Sequence, residues 1–120
     1  GILARLSRLW YTGQIGRWTN MDNNFTKHDE GKPRWTMVPF IAVDKVVGVL
    51  EYGANKYGKD NWKQGCDYSR LMDATMRHLM AWWGHEESDP ESGKSHLAHA
   101  ACNILFLLYF QITGIGNDDR

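Results

Sequence analysis

The chain has 120 residues, 42% of them apolar, enough for one domain with one modest core. Fourteen basic residues balance fourteen acidic ones, which excludes a general polyanion binder, so no nucleic-acid partner is expected. No apolar run reaches the roughly 20 residues that span a bilayer, and no membrane partner is expected either.

The first 20 residues carry Arg5, Arg8 and Arg17 and no acid, with Ile2, Leu3, Leu6, Leu9 and Trp10 forming a short helical stripe. A leader or membrane-surface helix fits this stretch. An upstream extension fits it too and is the reading adopted, because Met21 opens a self-contained polar segment. Residues 21–38 are polar and broken by Gly31 and Pro33, which predicts an extended arm. Weak alternation at 35–41 leaves a short strand there as the alternative. Pro39 fits the first position of a helix in which Val43, Val46, Val47, Leu50, Ala54 and Tyr57 recur at helical spacing. Gly53 weakens that helix and Gly58 stops it.

A loop at 58–68 leads to Ser69, a candidate N-cap for a second helix over about 69–84. Leu71, Met72, Met76, Leu79, Met80, Trp82 and Trp83 surround this helix, so it is buried either in the monomer or in an oligomer. Gly84 ends it, and a short charged loop follows. Ser95 caps a third helix that runs to about Thr113, before Gly114 and Gly116. The pattern predicts an all-α fold, a compact bundle of three main helices with an extended N-terminal arm, completed by oligomerisation. Residues 1–20 form the extension and 21–120 a single domain. Cys66 and Cys102 form no CxxC pair and no zinc pattern. A reduced, cytoplasmic setting is the simpler reading and a disulfide between them the alternative.

Four of the five histidines, His78, His85, His96 and His99, fall within 22 positions, interleaved with Glu86, Glu87, Asp89 and Glu91. The short loop makes helices two and three an antiparallel hairpin, which brings His85 and Glu86 towards His96 and His99. His96, His99 and Asn103 lie at i, i+3 and i+7 and share one face, which Phe106 and Phe110 continue. A polar face that becomes aromatic suggests a pocket with a dry floor. Carboxylates and imidazoles on facing helices suit a divalent cation: Mg2+ or Mn2+, with imidazole shifting preference towards Mn2+, Co2+ or Zn2+. Glu86, Glu91, His96 and His99 are the candidate metal ligands, and His78, Glu87 and Asn103 the candidate catalytic groups. Arg70 and Arg77 on helix two suit phosphate. Blander readings stand beside these. Glu86 and Glu87 solvate a loop, Asp89 caps a turn before Pro90, His85 sits at a helix C-terminus, and Asn103 ties helices together.

A second set is basic and aromatic. Lys27, Lys32 and Arg34 lie on the arm, and Lys56, Tyr57, Lys59, Asn61, Trp62 and Lys63 surround the first loop. An arm and loop of this makeup suit a nucleotide, with Trp62 or Tyr57 stacked on the base. A solvated loop with a Trp anchor is the equal alternative. Glu51, at the edge of the first helix, is either a third-helix metal ligand or a surface residue.

Three segments carry a resemblance: HDEGKPRWTMVPF (28–40), EYGANKYGKDNWKQG (51–65) and RHLMAWWGHEESDPESGKSHLAHAACNILFLL (77–108). Together they resemble the phage-encoded N-terminal domain family of dATP/dGTP diphosphohydrolase, with MazG-like helical pyrophosphatases as wider relatives. The resemblance implies an all-helical nucleotide pyrophosphohydrolase. Such a protein would cleave a purine deoxynucleoside triphosphate to monophosphate and pyrophosphate with a divalent metal, act as a homo-oligomer and work in the host cytoplasm if phage-encoded. MazG-like proteins hold Mg2+ with ExxE and ExxD motifs; here the second of these positions reads His96, His99 and Asn103. A capture protein that binds a nucleotide or cyclic nucleotide without cleaving it is the alternative function.

Overall fold

The computed structural model describes residues 25–120, so the extension expected at 1–20 lies outside the described residues. The chain divides into two compact units, Gly1–Asp44 and Lys45–Arg120. In the first, the arm from Phe25 is exposed and irregular apart from one 3-10 turn, Trp35–Met37. That turn stands where the alternation at 35–41 left room for a strand. The carbonyl of Pro39 accepts the N–H groups of Ala42 and Val43, so Pro39 caps the first helix from one position outside it.

Three helices follow: α1 (Phe40–Tyr57), α2 (Tyr68–Trp83) and α3 (His96–Thr113), with a 3-10 turn at Asn61–Gln64. The architecture is all-α, as the periodicity implies, and among the described residues there is no strand. In the second unit Val46 and Val49 of α1 pack against Ala98 and Cys102 of α3, flanked by Leu50, Ala101 and Phe106. Cys66 and Cys102 are both free thiols. Burial pushes the Cys102 thiol pKa up to about 11.

The helix termini set the geometry of the site. Ser95 Oγ accepts the Ala98 N–H at 3.3 Å, an ordinary N-cap for α3. At the end of α2 the left-handed residue is His85 (φ 72°), while Gly84 keeps φ −81°. His85 N–H reaches the Trp82 carbonyl and Glu86 N–H the Ala81 carbonyl. These two bonds form a Schellman motif, and the sharp reversal sends the chain straight back towards α3. The start of α2 is capped from a distance. Asp119 accepts both the backbone N–H and the hydroxyl of Ser69. Tyr68 N–H donates to the Asn117 carbonyl at 2.9 Å and Asn117 N–H to the Cys66 carbonyl at 3.1 Å. This docking needs glycine twice: a Cβ on Gly65 would meet Gly116 N at 2.7 Å, and one on Gly116 would meet the Cys66 carbonyl at 2.8 Å.

Candidate functional site

The hairpin of α2 and α3 brings three imidazoles together. The rings of His78 and His99 stack with centroids 4.5 Å apart and an interplanar angle of 5°. His78 Nδ1 lies 2.8 Å from His96 Nδ1, and His96 Nε2 lies 2.6 Å from Glu86 Oε1. His96 is therefore held at both ring nitrogens and is only 4% exposed. His99 Nε2 meets the Ser92 hydroxyl at 2.7 Å and lies 3.7 Å from Asp89 Oδ2.

Asp89 serves its turn as well: its side chain accepts the Glu91 N–H, and its backbone N–H donates to the Lys94 carbonyl. His78, Asp89 and His99 each offer one ligand atom, and the three atoms lie within 4.8 Å of one another. Burial lowers the pKa of His78 and of His99, and the neighbouring imidazoles add to the effect. Near neutral pH both rings keep a lone pair, as cation ligands must. The two imidazoles and the carboxylate are donors of the kind a divalent cation takes, and closing on one ion requires one ring of the parallel His78–His99 stack to turn, because each lone pair lies in its own ring plane.

This group opens into a pocket of about 730 Å³ built from α1, the 58–62 loop, α2 and α3, within the size range of nucleotide-sized ligand sites. Its floor is aromatic. Trp62 stacks on Phe106 with centroids 4.7 Å apart and meets Tyr109 edge-on at 4.9 Å. Arg77, Asn103, Glu51 and Lys59 also line it. Their side chains make no hydrogen bond or ion pair with another described residue, so they remain available to a ligand. Lys56 lies at the rim and is paired with Glu91, an interaction that holds its pKa above the ordinary lysine value.

The sequence-derived candidates divide between pocket and surroundings. Lys56, Tyr57, Asn61, Trp62, Arg77, His78, Glu91, His99 and Asn103 line the pocket. Glu86 and His96 sit behind His78 rather than on the pocket wall. Glu87 contributes a backbone carbonyl to the His96 N–H, and its side chain is exposed. Arg70, eight residues before His78, lies about 12 Å away along the helix, near Cys66. Lys32 and Arg34 belong to the first unit, where both are exposed. His85 shapes the turn.

Sequence reasoning counted Lys59 among the lysines of the first loop, offered a turn cap as the blander role of Asp89, and did not single out Ser92. The DPES spacing alone supported Asp89 as a cap; only the facing helix reveals its second partner, His99.

The model of the family described as dATP/dGTP diphosphohydrolase, N-terminal, matches residues 22–120. A curated relative, the dATP/dGTP diphosphohydrolase of Salmonella phage PMBT28, is 35% identical over 94 residues, which is 78% of this chain and 32% of the relative. The chain thus spans about a third of the length of the curated relative it matches. No solved structure matches the chain.

Proposed function

Because this chain belongs to the family described as dATP/dGTP diphosphohydrolase, N-terminal, we propose that it hydrolyses a purine deoxynucleoside triphosphate to the monophosphate and pyrophosphate. A divalent cation held by His78, Asp89 and His99 assists. The relative's name supplies the substrate class and the type of reaction. The observation that carries the reading for this chain is one pocket in which the candidate ligands, the Arg77 guanidinium and an aromatic floor face the same space.

When bound, the cation supplies Lewis-acid neutralisation of charge on the triphosphate and on the water that attacks it. Arg77 binds the phosphate oxygens as a two-pronged donor, with Lys59 as a second cation. Trp62, backed by Phe106, gives the base a flat apolar wall. The Asn103 amide orients the substrate by hydrogen bonding. Glu51, a carboxylate on the same wall with no hydrogen bond or ion pair among the described residues, receives the proton of the water that attacks the α-phosphorus. The reaction takes place in the host cytoplasm if the chain is phage-encoded.

The second part of the reading is a homodimer. Met72, Met76, Met80 and Trp83 follow one another along α2, and Trp83 is 80% exposed; Ile104 and Leu108 continue the apolar surface on α3. By length and composition α3 is apolar enough to cross a membrane, yet its first turns carry the imidazoles of the site. A contiguous stripe of large exposed apolar side chains marks an interaction surface, and a second copy presenting the same stripe is a self-complementary cover. Light scattering after gel filtration tests this; a monomer that becomes no larger at high concentration contradicts it.

Pyrophosphate release from dGTP and dATP, with Mn2+, Co2+ or Mg2+, tests the hydrolase reading. Turnover is expected in the wild type, and loss of it with chelator and in His99→Ala. Nucleotide binding without turnover, indifferent to chelator, would overturn it.

A further inference from the structure

Glu86, His96 and His78 form a continuous chain of hydrogen bonds that ends at the pocket. An ionised carboxylate only accepts, so Glu86 fixes a proton on His96 Nε2. The opposite arrangement would press two acceptors together at 2.6 Å. In the neutral imidazole Nδ1 of His96 is then bare and accepts from His78 Nδ1–H at 2.8 Å, whereas a charged ring would donate there instead. That leaves the lone pair of His78 on Nε2, the nitrogen not engaged by His96.

We propose that Glu86 and His96 are positioning residues that lock His78 in this tautomer, so that His78, Asp89 and His99 form a two-imidazole, one-carboxylate site for a first-row transition cation in preference to Mg2+. The donor set supports the cation class. Mg2+ takes oxygen ligands and surrenders its waters reluctantly, whereas imidazole suits the later transition ions. The burial of His96 supports the positioning role: at 4% exposure, with both ring nitrogens committed, it has no nitrogen left for a ligand of its own. Outer partners of this kind commonly fix the orientation and basicity of a ligating imidazole. The inference rests on the cation reading above but not on the hydrolysis.

The test uses the full chain without nucleotide. Long-range proton–nitrogen correlation on the metal-free, nitrogen-labelled protein reads the tautomer. His78 is expected protonated at Nδ1 and bare at Nε2; a proton on Nε2 would overturn the positioning role. Calorimetry then compares CoCl2, MnCl2 and MgCl2. Co2+ and Mn2+ are expected to bind at least about tenfold more tightly than Mg2+. Glu86→Ala removes a half-exposed side chain and leaves the turn's backbone hydrogen bonds in place, and circular dichroism checks its fold. It is expected to weaken Co2+ about 10- to 100-fold. Equal Co2+ affinity in Glu86→Ala and wild type overturns the positioning role. Mg2+ binding as tightly as Co2+, or no cation binding at all, overturns the site. dGTP turnover, measured separately, reports on the hydrolase reading alone.

Discussion

Lys56 at the end of α1 and Glu91 in the turn after α2, thirty-five positions apart, form an ion pair at the rim of the pocket. Both side chains reach solvent, so the pair contributes little to stability. Its effect is on availability, because Lys56 is a phosphate-binding candidate whose charge Glu91 already occupies. Glu91→Gln is predicted to leave the unfolding midpoint nearly unchanged and to lower KM for dGTP, as Lys56 is freed. Steady-state kinetics check this; a collapse of turnover would instead make Glu91 a cation ligand.

Arg77 and Arg70 are two turns apart on α2, but only Arg77 lines the pocket. Charged hydrogen bonds contribute about 1.5–3 kcal/mol. Arg77→Ala should therefore raise KM for dGTP by roughly ten- to a hundredfold, and Arg77→Lys should recover only part of the loss because the two-pronged donor is gone. Arg70→Ala should be close to silent. Equal effects of the two alanine variants would contradict the arrangement.

His85 occupies the left-handed position that ends α2, a conformation in which a side chain costs about 1–2 kcal/mol. His85→Gly is predicted to stabilise the fold by ~1 kcal/mol in urea unfolding. Gly84→Ala, at φ −81° with its Cβ in ordinary contact, should be neutral or stabilising by less than ~1 kcal/mol. A destabilised His85→Gly would show that the imidazole is needed at that turn for another reason.

Asp119 caps α2 through Ser69, and those hydrogen bonds hold its carboxyl below the usual carboxylate range. A lowered folded-state pKa means the unfolded chain binds the proton first. The contribution is whole above about pH 4 and is lost as pH falls further. Thermal unfolding followed between pH 6 and 3 should show that loss, and Asp119→Asn should remove part of the acid-side slope. Identical slopes in the two proteins would count against the tail cap.

The three helices were legible because apolar spacing and Ser95 act locally, through the period of a helix and the reach of one hydroxyl. The cap of α2 was not, since Ser69 looks like an N-cap by itself but is served by a carboxylate 50 positions away. The cluster of imidazoles was legible from the short turn, but its internal order was not. His96 and His99 are equivalent by helical spacing; only the crossing of α2 turns one towards Glu86 and the other towards Asp89. The α2 stripe, read as covered either in the monomer or in an oligomer, is exposed in the single chain, because periodicity identifies a face that needs a cover without naming what covers it.

Attack of water on the α-phosphorus in this pocket is read out by hydrolysis of dGTP in oxygen-18 water. Mass spectrometry is predicted to find the label in the monophosphate and unlabelled pyrophosphate, with no products from His99→Ala. Label in pyrophosphate, release of intact triphosphate, or equal turnover in His99→Ala would contradict it.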